Sequence, residues 1–195
     1  MMKKLYCFDF DGTITTKDTM FLFLKFYHPR RYYFQFLRHA PLFVMVKLNL
    51  INTEKVKRSF IASVLKNERK SKLDEYAEKF YQHYHTSLIR KSAKVFFDSL
   101  DKEATVYLVT ASLDIWVKVF AENLKVNYIA TKAKFENGIF TGKFETKNCN
   151  GPEKVNRILQ TIEVSQFDKT IAFGDTYGDK QMLEWADESY FRFFH

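Results

Sequence analysis

Two aspartates only two positions apart, Asp9 and Asp11, are the side chains of this 195-residue sequence best placed to do chemistry. They follow an apolar run at residues 5–8 that predicts a buried strand, and Gly12 lets the chain turn tightly behind them. A carboxylate at such a turn can attack phosphorus and carry it as an acyl phosphate. A second one can give a proton to the leaving oxygen and later take one from water. Ordinary turns use the same residue types, so the motif predicts phosphoryl transfer only with support from elsewhere in the chain.

Three later motifs supply that support, because each stands where a predicted element begins or ends. An apolar run at 105–109 leads into a hydroxyl-bearing segment, Thr110, Ala111 and Ser112. A lysine, Lys154, opens a predicted helix just after a Gly-Pro pair. A third apolar run at 170–173 leads into the sequence Gly-Asp-Thr-Tyr-Gly-Asp at 174–179. Together they offer carboxylates, hydroxyl donors and a cation, which are the groups that phosphoryl transfer needs.

In this order the motifs resemble the four motifs of the haloacid dehalogenase superfamily, over residues 5–183. The resemblance implies a hydrolase with Asp9 as nucleophile and Asp11 as acid and base. It also implies a set of phosphate-binding residues: Thr110, Ala111, Ser112 and Lys154. The enzyme would then work through an aspartyl-phosphate intermediate.

The same resemblance implies a magnesium site. Its expected ligands are Asp9, Asp11, Asp175 and Asp179, with Asp11 contributing its main-chain carbonyl. For Asp179 two roles stay open, since it either helps to coordinate the metal through water or orients Lys154.

The second aspartate, Asp11, separates reactions within the superfamily. Dehalogenases that resemble this family need no acid to protonate a halide, so its presence indicates a phosphatase or a phosphotransferase. The motif at 174–179 departs from the usual Gly-Asp-Gly-x-Asn-Asp of phosphoserine phosphatases. The stretch at 105–116, together with Lys154, is closer to bacterial phosphatidylglycerophosphatase C-like proteins.

Three functions therefore stay open. The preferred one is a phosphatase acting on a lipid phosphate such as phosphatidylglycerophosphate. The second is a phosphoserine phosphatase-like enzyme acting on a small soluble phosphate. The third is an inactive module that binds a membrane or nucleic acid.

The pattern of elements predicts an α/β fold. Continuous apolar runs that alternate with helical segments indicate a parallel sheet covered on both faces, with the carboxylates at the carboxyl ends of its strands. The resemblance implies a three-layer Rossmannoid core made of residues 1–15 and 86–195. Helices are expected at 88–100, 115–124, 153–162 and 180–186. An Asn-Gly pair at 137–138 predicts a hairpin.

Residues 16–85 show no strand pattern that belongs in this sheet. They predict helices at 20–27, 31–38, 42–49, 53–65 and 73–84, with a break at Pro41. By resemblance this segment is a small helical cap between the first two motifs, as in subfamily IB, the phosphoserine phosphatase-like branch.

The expected cap carries the excess positive charge. Residues 25–72 hold twelve lysines and arginines against two glutamates, a net of +10, whereas the whole chain is +8. Aromatic residues are interleaved with these cations, a composition typical of a helix at a membrane surface. A helical bundle with a solvated basic face has the same composition.

Partners and location follow from these patterns. We expect a phosphorylated substrate and peripheral contact of the basic cap with an anionic membrane, and no nucleic acid. The sequence shows neither a signal-peptide pattern nor a window of about 18 uncharged apolar residues. Cys7 and Cys149 imply no disulfide framework. A cytoplasmic location is therefore expected, with contact at the inner face of the membrane.

Overall fold

A sheet of five parallel strands forms the centre of the protein, and an antiparallel hairpin lies beside it. The computed structural model describes residues 2–48, 50–101 and 103–195. Its strands are β1 (Lys4–Phe8), β2 (Thr105–Leu113), β3 (Asn127–Thr131), β4 (Ala133–Glu136), β5 (Ile139–Phe144), β6 (Lys169–Gly174) and β7 (Glu188–Phe191). The sheet order is β3-β2-β1-β6-β7, while β4 pairs with β5. The three apolar runs of the sequence are thus the three central strands, and the predicted α/β class is confirmed.

Helices cover both faces of this sheet. They are α1 (Thr19–Tyr27), α2 (Pro29–Lys47), α3 (Thr53–Leu65), α4 (Lys70–Leu88), α5 (Lys91–Ser99), α6 (Asp114–Leu124), α7 (Pro152–Thr161) and α8 (Lys180–Trp185). Alternate residues of β1 point to opposite sides, as the pleat requires. Phe8 packs in a cluster that includes α5 and α6, whereas Cys7 packs in a second cluster with residues of α7 and α8. The result is the expected three-layer arrangement.

The helix α2 differs from the prediction, because it runs through Pro41 without the expected break. Proline has no N–H to donate to the carbonyl four residues earlier, that of Leu37. Both Pro41 and Leu37 are exposed, so this carbonyl lies on the solvent side. On the opposite face His39 and Phe43 both pack on Phe60, with ring centroids 5.3 Å away in each case. These contacts on both sides of the proline hold the helix together. The predicted helix end at residue 49 lies outside the described residues.

The helix expected at about 88–100 is present as α5, but its predicted start is wrong. α4 continues to Leu88, and α5 begins only at Lys91. The two residues between them are extended, since Ile89 forms an antiparallel bridge with Thr15 and the Arg90 N–H donates to the carbonyl of Ile14 at 2.9 Å. Here the chain returns from the helices α1–α4 to the sheet, and it runs beside residues 14–15, through which it passed from the sheet to α1.

The hairpin of β4 and β5 attaches to the connection between α3 and α4. The Asn67 N–H donates to the carbonyl of Phe140, and the Phe140 N–H donates to the carbonyl of Glu68, both at 2.9 Å. Asn137 and Gly138 both have positive φ, which fits the tight turn predicted for this pair. We call α1–α4 with this hairpin the helical lobe. The division of the sequence at 15/16 and 85/86 stays a prediction.

The helical lobe and the sheet layers share one apolar core. Phe23 of α1 stacks on Trp116 of α6 with ring centroids 4.9 Å apart, and Phe80 of α4 packs on Phe120 of α6 at 6.0 Å. All four side chains are fully buried. The lobe is therefore held against the sheet by aromatic packing as well as by the chain connections.

Among the residues that the structure describes, none of the helices combines the length and the apolar character needed to cross a bilayer.

Candidate active site

The carboxyl ends of β1, β2 and β6 bring the predicted motifs together. Asp9 is the first residue after β1, Asp175 the first after β6, and Thr110 lies near the end of β2. β1 pairs with both neighbours in parallel, and the Asp9 N–H donates to the carbonyl of Phe173 at 2.9 Å. Side chains that follow adjacent parallel strands must meet at one edge of the sheet, where open α/β sheets bind ligands.

Lys154 connects these strand ends. It lies in the first turn of α7 and is 1% exposed. Its ammonium donates to Oδ1 of Asp9 at 2.6 Å and to the main-chain carbonyl of Val109 at 2.6 Å, and it lies 2.7 Å from Oδ1 of Asp179. A single cation thus fixes the side chain behind β1, the end of β2 and the loop behind β6.

Carboxylate oxygens of Asp9, Asp175 and Asp179 lie within 4.8 Å of one another. Oδ1 of Asp9 is taken by Lys154, and Oδ1 of Asp175 accepts from the Thr13 hydroxyl at 2.9 Å. The second oxygens of Asp9 and Asp175 accept no hydrogen bond from any described residue. Lys154 pairs with two of the three carboxylates, and the imidazole of His195 lies 4.0 Å from Oδ2 of Asp175. A set of carboxylate oxygens of this kind fits a hard divalent cation such as Mg²⁺.

Asp179 is engaged differently from the other two carboxylates. Its Oδ1 pairs with Lys154, while Oδ2 accepts from the Thr176 hydroxyl at 2.9 Å and from two main-chain N–H groups, those of Asp175 and Thr176. Both oxygens are therefore occupied by protein donors. Of the two roles left open by the sequence, this geometry favours orientation of Lys154.

Burial sets the protonation of this cluster. It raises the pKa of Asp9 to about 7, although the Lys154 ammonium opposes the rise, and it also raises the pKa of Asp175. Burial alone would raise the pKa of Asp179, but Lys154 outweighs it and the pKa is lowered. Burial alone would likewise lower the pKa of Lys154, and Asp9 and Asp179 together raise it instead. Lys154 therefore stays charged at neutral pH.

The side chain of Asp11 points away from the other carboxylates. Its Oδ1 accepts from the N–H and the hydroxyl of Thr19, both at 2.6 Å, and its Oδ2 accepts from the hydroxyl of Ser112. Thr19 is the first residue of α1, where free N–H groups favour a carboxylate. The side chain of Asp11 therefore does not belong to the carboxylate cluster. That its main-chain carbonyl binds the metal stays a prediction.

The predicted phosphate-binding segment of β2 is tied into the site by its own hydrogen bonds. The hydroxyl of Thr110 accepts from the N–H of Ser112 at 3.0 Å. The carbonyl of Ala111 accepts from the ammonium of Lys57 at 3.1 Å and from the hydroxyl of Thr131 at 3.0 Å. Lys57 belongs to α3, so a cation of the helical lobe reaches this segment.

Gly12 is required by the close approach of two loops. Its φ of +86° is a conformation that side chains disfavour, and a Cβ at this position would collide with the carboxylate of Asp175. The guanidinium of Arg90 donates to the Gly12 carbonyl at 3.0 Å and holds the turn in place. The glycine thus lets the turn behind β1 lie directly against Asp175.

Sequence reasoning missed several residues of this site: Thr19, Lys57, Trp116 and Thr176. The indole N–H of Trp116 donates to the Thr19 hydroxyl at 2.9 Å, which orients that hydroxyl toward Asp11. A signal existed for Thr19, since it follows an aspartate that caps the helix start. For Lys57 and Trp116 the sequence offers none, because their contacts join distant segments.

Comparison with known proteins agrees with this architecture. The family model described as haloacid dehalogenase-like hydrolase matches residues 7–184. Protein CicA of Caulobacter vibrioides is 34% identical over 193 residues, which cover 97% of this chain and 86% of the relative.

Two solved structures share the fold. A protein of unknown function from Bordetella pertussis Tohama I superposes with a TM-score of 0.83 at 20% identity, covering 97% of this chain and 89% of that one. A substrate-bound phosphoserine phosphatase superposes with a TM-score of 0.71 at 19% identity, covering 98% and 86%. At these identities the likeness concerns the fold.

Proposed function

The chain belongs to the family of haloacid dehalogenase-like hydrolases, and we propose that it hydrolyses phosphomonoesters through an aspartyl phosphate on Asp9. The observation that carries this proposal is the divided role of the Asp9 carboxylate. Lys154 holds one of its oxygens, and the other accepts no hydrogen bond from any described residue. An oriented carboxylate with one free oxygen is what a nucleophile at phosphorus requires.

In the first half of the reaction the free oxygen of Asp9 forms a bond to phosphorus, and the bond from phosphorus to the leaving oxygen breaks. Asp11 gives its proton to that oxygen, so the product leaves as an alcohol. Ser112 can either donate to Asp11 or accept from it, because its hydroxyl rotates, and it can therefore serve both protonation states. In the second half, water attacks phosphorus, Asp11 takes a proton from it, and Asp9 is released with inorganic phosphate.

Magnesium would be held by Asp9 and Asp175, whose second oxygens are available, and when bound it supplies charge neutralisation between the carboxylates and the phosphate. Lys154 adds a fixed positive charge beside Asp9. Thr110 would donate its hydroxyl to a phosphoryl oxygen at the end of β2. A dianionic ester is repelled by an anionic nucleophile, and the positive charges and hydrogen-bond donors of these groups would offset that repulsion.

Magnesium-dependent turnover tests this proposal. The wild-type protein is expected to hydrolyse 4-nitrophenyl phosphate with Mg²⁺ and to lose that activity in excess EDTA. Asp175→Asn should abolish the stimulation by Mg²⁺ and the rise in melting temperature that the ion causes, because it removes one anionic ligand. Asp168→Asn is the matched control, since that exposed residue lies outside the site. Full turnover in EDTA would contradict the mechanism. Absence of turnover with Mg²⁺ would leave the binding-only module as the better function.

The proposed substrate class is a phosphomonoester with an apolar leaving group, such as a lipid phosphate. A cavity of about 290 Å³ lies between the helical lobe and the end of β2. Its lining includes Asp18 and Met20, which flank the Asp11-binding Thr19, and Ala111, which precedes Ser112. The cavity therefore lies on the side of the acid, where the leaving group must be.

The walls of this cavity are mainly apolar. Its apolar lining residues include Met20, Phe21, Phe43, Val46 and Val56. Lys57 adds a cation next to Ala111. An acyl or alkyl chain would bury apolar surface there, at roughly 25 cal/mol per Å². Phosphoserine would bury little surface against the apolar walls, and only the polar lining could bind it, with Lys57 pairing with its carboxylate and Asp18 with its amino group.

A comparison of leaving groups tests the substrate class. We expect kcat/KM for a short-chain phosphatidylglycerophosphate or a lysophosphatidic acid to exceed that for phosphoserine by at least about tenfold, which corresponds to about 1.4 kcal/mol. Val46→Asn should lower the value for the lipid and leave phosphoserine almost unchanged. Val95→Asn, at an exposed site on α5, is the control. A preference for phosphoserine would assign the enzyme to the small soluble substrates instead.

A further inference from the structure

The helix α2 leaves one of its faces uncovered. Among its 19 residues only Tyr32 and His39 are buried. On the outer side Phe34, Leu37 and Val44 follow one another at helical spacing and are 60%, 74% and 58% exposed. Contiguous apolar surface of this kind marks an interaction site on a water-soluble domain.

The charge around this face has one sign. Residues 19–53 contain five lysines and arginines and no aspartate or glutamate. The guanidinium of Arg38 lies over the ring of Phe34 at 5.7 Å, and the ammonium of Lys25 lies over that of Tyr33 at 5.3 Å. Cations and apolar rings are thus presented together, as on helices that lie in the headgroup region of a bilayer.

We propose that this face binds the surface of an anionic lipid bilayer. The α2 surface is formed by Arg30, Phe34, Leu37, Arg38, Val44 and Leu48. Its arginines would pair with lipid phosphates, while its apolar side chains would enter the boundary of the acyl chains.

The charge of the α2 surface favours a bilayer over a second copy of this chain as its partner. In a symmetric dimer the same patch meets itself, so the cations of α2 would face one another without any acidic residue of α1 or α2 to offset them. An anionic bilayer offers the complementary charge. The inference goes beyond the proposed phosphatase function and does not depend on it.

The position of α2 adds a consequence for the site. Phe43 and Val46 of the same helix line the cavity beside Asp11, whereas Val44 and Leu48 point outward. A bilayer bound to the α2 surface would therefore contact the outer face of the helix whose inner face lines that cavity.

Co-sedimentation with vesicles tests the inference. The full chain is expected to sediment with vesicles of phosphatidylcholine and phosphatidylglycerol at low salt, and much less with phosphatidylcholine alone. Arg30→Gln with Arg38→Gln should weaken partitioning about thirtyfold, since each basic residue near the surface contributes roughly 1 kcal/mol. Leu37→Ser with Leu48→Ser should remove the binding that persists at high salt. Arg31 is unsuitable for this test, because its guanidinium donates to the carbonyl of Ser63.

A matched control removes the same kinds of side chain from another exposed helix. Lys91→Gln, Lys94→Gln and Val95→Ser on α5 should leave vesicle binding unchanged. Turnover of 4-nitrophenyl phosphate without vesicles should be the same in all of these variants, which separates this inference from the phosphatase proposal. Absence of wild-type binding, or an equal loss in the α5 variant, would overturn it. A dimer in solution that Leu37→Ser dissociates would assign the surface to a second copy.

Discussion

The Asp9→Asn variant is expected to lose phosphatase activity by at least about 10⁴-fold, because removal of a nucleophile eliminates the covalent route. The substitution keeps the shape of the side chain and removes only its charge. Turnover of 4-nitrophenyl phosphate at saturating Mg²⁺ measures the loss. Activity within tenfold of the wild type would show that another group attacks phosphorus.

The pH dependence of the melting temperature shows whether the same variant is correctly folded. The pKa of Asp9 is about 7 in the folded protein and near 3.8 when unperturbed, so the folded state holds an extra proton between these values. In EDTA the wild type should therefore lose stability as pH rises from about 4 to about 7. Asp9→Asn has no proton to lose, and its melting temperature should depend less on pH over that window. A variant that is simply misfolded would instead be less stable at every pH.

Lys154→Met is expected to lower both activity and stability. The lysine is buried with Asp9 and Asp179, and its removal leaves two carboxylates without their counter-ion. Breaking a buried pair in this way costs about 3–5 kcal/mol of unfolding free energy. Phosphate binding should weaken as well, because the fixed cation beside Asp9 is lost. Urea unfolding and steady-state kinetics on the same protein measure the two effects.

Two comparisons make the Lys154 result specific. Lys147→Met, at an exposed lysine of a nearby loop, should change neither quantity. Lys154→Arg keeps the charge and should recover more stability than activity, since its wider guanidinium cannot reproduce all three contacts of the ammonium. A Lys154→Met protein with normal kinetics would exclude the lysine from phosphate binding.

The family and the central sheet could be predicted from sequence because their signals are local. Each apolar run lies within one strand, and the polar residues that follow it are adjacent in the chain, so Asp9, Thr110 and Asp175 come together once the strands pair in parallel. The family match confirms the predicted superfamily. The narrower resemblance to phosphatidylglycerophosphatase C-like proteins stays a prediction.

Other parts of the site depend on contacts that no local pattern encodes. Lys57 meets the carbonyl of Ala111 across 54 positions, and Trp116 meets Thr19 across 97. The continuity of α2 through Pro41 depends on Phe60, which lies on a different helix. In each case packing between distant segments determines a contact or a helix boundary that composition and spacing do not determine.

The aromatic packing between the helical lobe and the sheet layers limits how substrates can reach Asp9. Swinging the lobe away would expose Phe23, Phe80, Trp116 and Phe120, at roughly 1.5–3 kcal/mol for each ring. The sum is about 6 kcal/mol or more, so a fully opened form would make up less than about one molecule in ten thousand. A route that leaves this packing intact is the cavity near Asp11, which residues of α2 and α3 line on one side. Substrates that enter this way would meet Phe43 and Val46 before they reach the carboxylates, so the helix α2 would take part in their selection.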